Sequence, residues 1–194
     1  MILYLAKNDE ALQIAEIHKA EIKKGFLSSL DVRFLESLYS FIIKSDFSFC
    51  VVAKEGDRVM GFAAGTLDIN KLYLKFLKNH FFSSFAIFFP KILSPSFMKK
   101  IFETLLYPKK ENDLPKAELL TIAIRNEFQN DGLGGKMLFL FISEMQKRGT
   151  KIFKVVVGEE LKQAIKFYEK NGFKMLRNTT VHDRRVSRVY IYNL

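Results

Sequence analysis

Apolar positions along this chain keep two different periods, and the places where one gives way to the other mark its elements. Ile2 to Lys7 begins with a short apolar run that predicts a strand. Asp9 is suited to cap a following helix, in which Leu12, Ala15, Ile17 and Ile22 recur at helical intervals and which Gly25 is expected to end. Ser29 or Asp31 can cap a second helix, with Phe34, Leu35, Leu38, Phe41 and Ile42 on one face. The period then shortens. Phe47–Lys54 and Arg58–Leu67 read as two strands, and Glu55-Gly56-Asp57 between them makes a hairpin turn.

From residue 117 onward the pattern is the most regular. Glu118–Ile124 predicts a strand, and a glycine-rich loop follows at 129–136. Met137, Leu138, Phe141, Ile142 and Met145 share one face of a helix that ends near Gly149. Ile152–Val157 is another strand, Glu159–Lys170 a helix closed by Asn171-Gly172, and Phe173–Thr179 and Val186–Tyr192 two further strands around the polar turn at 181–185. Strand, loop, helix, strand, helix, strand, strand is the order of a mixed α/β sheet.

Between these regions, residues 70–116 break the plan. Leu74, Leu77, Phe81, Phe85 and Phe88 predict an amphipathic helix, but Pro90, Pro95, Pro108 and Pro115 then divide the stretch into short pieces. It holds eight of the twenty Phe, and nine Lys against Glu103, Glu111 and Asp113. That is +6 of the whole chain's +10, a surplus that points to an anionic partner without choosing which. No nucleic-acid reading motif accompanies the charge.

Composition removes several classes. With 194 residues and 48% hydrophobic content the chain can bury a core, and it is expected to be one domain carrying an insertion at 70–116. Cys50 is the single cysteine, so neither a disulfide framework nor a four-cysteine zinc site is available. It sits in the run Phe49-Cys50-Val51-Val52 and reads as a small buried thiol. His80 and His182 lack partners at ligand spacing, and no metal site is expected. The N-terminus lacks the basic region of a secretory signal. Phe81 to Pro90, the longest greasy stretch, is bracketed by Lys78 and Lys91 and falls short of the roughly 20 residues a spanning helix needs. A cytoplasmic protein is the expectation.

The loop Gln129-x-x-Gly132-x-Gly134-Gly135 lies between a strand and a helix, where glycines and unpaired helix-start amides make a phosphate cradle. A dinucleotide fingerprint would need glycine at position 137, and a Walker loop glycine at 130 with Ser or Thr at 137; the chain has Met137 and Asn130. Leu120 to Gly134, with Arg/Gln-x-x-Gly-x-Gly/Ala after an apolar strand, instead resembles the acetyl-CoA motif of the GNAT superfamily of N-acetyltransferases. Farther along, Ala164-Ile-Lys-Phe-Tyr-Glu-Lys-Asn-Gly-Phe173 resembles that family's second block. The likeness is tight over 118–192 and looser before it, and the stretch at 70–116 lies outside the family's common core.

The resemblance implies a mostly antiparallel central sheet with flanking helices, splayed between the strands at 118–124 and 152–157. It implies acetyl-CoA as cosubstrate, no metal, and transfer to a primary amine in a ternary complex. Backbone amides from Gln129, Asn130, Asp131, Gly132, Leu133, Gly134, Gly135 and Lys136 would hold the diphosphate. Main-chain groups of Ile122, Ala123 and Ile124 would meet the pantetheine arm and the acetyl carbonyl, and Ile124 N–H would face the developing oxyanion. Tyr168 would protonate the leaving thiolate. Where many relatives carry an asparagine before the second block, this chain has Leu161.

Glu118 is the first candidate for the base, because it stands five residues before Ala123, where some family members place a glutamate. His18, Glu21 and Asp68 are the alternatives. For the acceptor, residues 18–27 and the basic insertion resemble a bacterial subgroup acting on surface polysaccharides and sugar nucleotides, which favours an amino sugar. A peptide N-terminus is the enzymatic alternative. A third reading makes the protein an inactive CoA-binding module, docked on a membrane or partner through 70–116. Against that docking role stands a lid over the acceptor site.

Overall fold

The computed structural model describes residues 1–194 apart from 24, 26, 77, 80–112 and 181–185. The expected helical stripe through Phe88, the lid or docking role of the insertion, and the turn at 181–185 therefore lie outside the described residues. The strands are β1 (Ile2–Leu5), β2 (Ser48–Glu55), β3 (Arg58–Thr66), β4 (Glu118–Ile124), β5 (Ile152–Gly158), β6 (Lys174–Thr180) and β7 (Val186–Asn193). The helices used below are α1 (Ala11–Glu21), α2 (Val32–Lys44), α3 (Leu133–Lys147) and α4 (Lys162–Lys170). Hydrogen-bonded strand order is β1-β2-β3-β4-β5-β7-β6, a mostly antiparallel sheet in which β4 and β5 run parallel. This is the mixed α/β architecture that the residue pattern and the resemblance imply.

Contacts group the chain into two compact units, residues 1–67 with 119–150 and residues 68–118 with 151–194. In the first, β2 and β3 form an antiparallel hairpin in which Val52 pairs with Phe62. Its turn needs a left-handed residue, and Gly56 supplies one at φ +57. One face of the hairpin meets α2, where Tyr39 and Phe62 stack edge-on with centroids 5.1 Å apart. The other meets α3, where Phe49 packs on Phe141 at 4.9 Å and the Arg148 guanidinium lies 4.8 Å over the Phe49 ring. Asp31 caps α2 by accepting from Arg33 N–H at 3.0 Å, and Leu35, Leu38, Tyr39 and Ile42 bury its inner face. Each such aliphatic side chain contributes roughly 1.5–3 kcal/mol when fully buried. Cys50 is buried, and burial pushes its thiol above the ordinary range.

In the second unit, β7 lies between β5 and β6, with Tyr190 opposite both Val155 and Met175. Phe153, Phe173 and Tyr192 form an aromatic cluster with centroids 5.0–5.6 Å apart, against which Ile165 and Tyr168 of α4 are buried. A helical segment at 69–76 buries Ile69, Leu72 and Phe76.

Three local expectations need correction. Asp9 does not cap α1: it lies in a 3-10 turn at Asn8–Glu10. The buried Glu10 carboxylate follows, accepting from Lys7 N–H at 2.8 Å and pairing with Lys54 Nζ at 3.1 Å. Gly25 does not end α1, because the extended Ile22 already stops it. The helix expected from Glu159 starts at Lys162, since Glu159 N–H donates to the Val186 carbonyl and its carboxylate pairs with Arg188 at 2.6 Å.

Candidate active site

The end of β4 is fixed from one side. Arg125 N–H donates to the Met60 carbonyl at 2.9 Å, and the Arg125 Nε donates to the Val59 carbonyl at 2.9 Å. Backbone groups alternate along a strand, so the N–H and C=O of Ile124 turn to the opposite edge. Gly61 permits this close approach: a Cβ there would stand 2.9 Å from the Ala123 carbonyl oxygen and 2.9 Å from Ile124 Cγ1. Ala123 is buried, whereas Ile122 and Ile124 are half-buried.

Beyond this edge the chain makes a 3-10 turn at Asn126–Phe128 and enters the glycine loop. Glu21, the last residue of α1, accepts from Asn126 N–H at 3.2 Å and from Gln129 Nε2 at 3.5 Å. Gln129 folds back and donates to the Ile124 carbonyl at 2.8 Å. Asn130 (φ 70) and Gly132 (φ 73) are both left-handed, which turns the chain sharply into α3. Gly132 is the N-cap residue, so no side chain caps the first amides of α3. A Cβ built on Gly132 meets nothing within 4 Å, so the space in front of the helix start is open. Asn130, Asp131, Gly132 and Lys136 are exposed, Gly134 and Gly135 half-buried, and Leu133 is buried as the helix's first anchor. An open mouth of uncapped amides at the positive end of a helix fits a diphosphate.

Glu118 and Tyr168 belong to the second unit. Glu118 begins β4 and pairs in register with Lys154 of β5. Its carboxylate lies 3.0 Å from Lys154 Nζ, and both side chains are largely buried. Tyr168 is buried between Phe167 and Phe173, with centroids at 5.5 and 5.2 Å. Burial raises its phenol above the ordinary value, so it stays protonated and keeps a proton to give. Leu161, in the place of the family's asparagine, is the N-cap residue of α4 and makes no side-chain cap.

Among the other base candidates, His18 is buried. Its Nδ1 lies 2.5 Å from the Tyr39 hydroxyl and its Nε2 3.3 Å from Ser28 Oγ, and burial lowers its pKa to about 4. Glu21 is committed to the turn at Asn126 and to Gln129. Asp68 accepts from Lys71 N–H at 3.0 Å at the start of the 69–76 helix.

A family model described as Acetyltransferase (GNAT) family matches residues 12–173. The chain belongs to the GNAT family. It is an N-acetyltransferase that uses acetyl-CoA. Solved structures share the fold at low identity. A GNAT-family protein from Desulfovibrio desulfuricans has a TM-score of 0.65 at 13% identity, over 99% of this chain and 98% of its own. The ribosomal-protein-S18-alanine N-acetyltransferase from Escherichia coli gives 0.62 at 14%, over 99% and 92%. The PaiA N-acetyltransferase from Thermoplasma acidophilum, solved in complex with coenzyme A, gives 0.59 at 14%, over 100% of both chains. No curated protein matches the chain.

For this GNAT acetyltransferase, sequence reasoning passed over Lys154. The signal was present: one lysine stands inside Ile152-Phe-Lys-Val-Val-Val157, an otherwise apolar strand. Among the described residues no group of three or more His, Cys, Asp or Glu is placed to hold a metal, and no helix is long and apolar enough to cross a membrane.

Proposed function

We propose that this acetyltransferase transfers the acetyl group to a primary amine on an amino sugar or its nucleotide-linked form, in the cytoplasm. The observation that carries the site is the Arg125–Met60 hydrogen bond, which turns Ile124 N–H to the edge of β4 away from β3. Amides from Asn130 to Gly135 hold the diphosphate of CoA, the Lys136 N–H being donated to the Gly132 carbonyl at 3.3 Å, and main-chain groups of Ile122 and Ile124 align the pantetheine arm, since those of Ala123 turn to β3. Ile124 N–H donates to the acetyl carbonyl oxygen as negative charge develops there, a contribution largest where water is excluded. Glu118 takes a proton from the amine, directly or through one water. Tyr168 gives its proton to the sulfur as the carbon–sulfur bond breaks. A phenol suits this step because it is a neutral acid at pH 7.

Charge supports the acceptor class. Nine Lys against three acids at 70–116 suit a sugar carried on an anionic diphosphate. The test is an acetyl-transfer screen, read by thiol release, against amino-sugar nucleotides, peptides with free N-termini and polyamines. Turnover of the sugar nucleotides above the rest is expected. Preference for peptides overturns the acceptor, and absence of acetyl-CoA binding by calorimetry overturns the site.

A further inference from the structure

β5 carries a charge where its neighbours are apolar. Lys154 is 3% exposed, between Phe153 and Val155, which are also buried. Three contacts with residues 115–118 hold it: Nζ donates to the Pro115 carbonyl at 2.5 Å, Nζ meets Glu118 Oε2 at 3.0 Å, and its N–H donates to the Ala117 carbonyl at 3.0 Å. Packing alone does not call for such an arrangement. A buried ion pair commonly adds no more stability than apolar side chains of the same volume, because two charges must be desolvated. The pair is better explained by what it does for the carboxylate.

The Glu118 side chain is 12% exposed, and burial of that degree favours the neutral acid. A neutral acid cannot accept a proton from an amine. The groups facing Glu118 include Lys154 from β5 and Tyr73 from the helical segment at 69–76. Burial and then the charge of Glu118 raise the Tyr73 phenol, so Tyr73 stays neutral, and a phenol cannot supply the compensating positive charge. Lys154 offers one. It also makes a second contact, to Pro115, that fixes its ammonium independently of the carboxylate.

We propose that Lys154 is a positioning residue that holds Glu118 ionised and aimed, and so sets the pH range over which Glu118 accepts the amine proton. In that step the nitrogen–acetyl bond forms, the nitrogen–hydrogen bond breaks, and the proton passes to the Glu118 carboxylate. The inference rests on the reading of Glu118 as the base.

The experiment combines pH profiles of kcat/KM for the amine with a carbon-13 titration of the Glu118 carboxyl, assigned by Glu118→Gln. Lys154→Gln removes the charge while keeping a donor. It should move the acidic limb, and the Glu118 titration with it, upward by about 1–3 pH units. Lys154→Arg should return most of both. In the double variant Lys154→Gln/Glu118→Gln, the rate should equal that of Glu118→Gln alone. Unmoved titration and unmoved acidic limb in Lys154→Gln overturn the proposal. Should that variant not fold, the unsubstituted protein decides: a Glu118 carboxyl that titrates above the ordinary carboxylate range overturns it. Wild-type activity in Glu118→Gln removes the base reading instead, and the carboxyl titration still reports whether Lys154 controls its ionisation.

Discussion

The two ends of β4 solve different problems with different materials. In the proposed reaction Ile124 acts through main-chain N–H and C=O, aimed by the Arg125–Met60 hydrogen bond and by the absence of a side chain at Gly61. Almost any residue at position 124 would present the same two groups. In the proposed reaction Glu118 acts through a carboxylate, held by a lysine on another strand. The main-chain end therefore tolerates side-chain change but not backbone displacement, whereas the side-chain end behaves in the reverse way. In the middle of the strand, the Thr121 hydroxyl bonds Tyr39, which meets His18.

Backbone displacement should produce the largest effect. Gly132→Val forces a β-branched residue into φ 73 and puts methyl groups into the open space before α3. Calorimetry should show acetyl-CoA affinity reduced by about 100-fold, the loss of one or two hydrogen bonds to a charged group at roughly 1.5–3 kcal/mol each. Thermal melting should show a loss of about 1–2 kcal/mol from the left-handed backbone alone, since the added Cβ meets no protein atom. Unchanged affinity would mean that the diphosphate is held elsewhere, and the contrast between the two ends would lose its main-chain half.

Next comes the proton that the chemistry must deliver to sulfur. Tyr168→Phe keeps the ring packed against Phe167 and Phe173 and removes only the hydroxyl. Loss of a general acid costs about 100-fold or more in kcat, while CoA affinity should stay within about twofold. An unchanged kcat, measured by thiol release, removes Tyr168 from the mechanism.

The middle of β4 gives a prediction in pH. His18 titrates in the folded protein at about 4, against 6.5 for an unburied histidine, because burial disfavours its cation. Between those values the unfolded chain binds a proton that the folded protein does not. Stability is therefore complete above about pH 6.5 and declines as pH falls toward 4, by roughly 3 kcal/mol in total. His18→Gln should flatten that part of a denaturation-versus-pH curve. An equally steep curve in the variant would assign the acid sensitivity to another group.

What the residues disclosed, and what they withheld, follows the same division. Strands at 2–5, 48–55, 58–66 and 118–124 were legible because burial on a pleated sheet imposes a short apolar period, and α2 because Leu35, Leu38 and Ile42 share one face above Asp31. The glycine loop was legible because only certain residues tolerate its left-handed turns. Partnership across the sequence was not. Nothing local to Glu118 says that a lysine thirty-six positions away will reach it, and nothing local to Glu159 says that Arg188 will draw it out of a helix. Such facts arise from strand register, which is set by the summed pattern of both strands and not by either residue alone.

Gln129 is the finest test of the comparison, because it is a side chain at the main-chain end. Its position in the motif puts it among the residues implied to hold the diphosphate, and in the structure its amide is directed at Ile124 C=O, 2.8 Å away, with Glu21 3.5 Å off. Gln129→Ala deletes a hydrogen bond made on the exposed surface, where water replaces the lost donor at the carbonyl. A net loss of about 1 kcal/mol, or roughly fivefold in acetyl-CoA affinity, is the expected ceiling. If the side chain instead leaves Ile124 to bind phosphate, the loss should appear with acetyl-CoA and vanish with acetyl-pantetheine, which lacks the diphosphate. A small change, equal for both ligands, keeps Gln129 as a brace for β4 and leaves the recognition of charge to the amides of Asn130–Gly135.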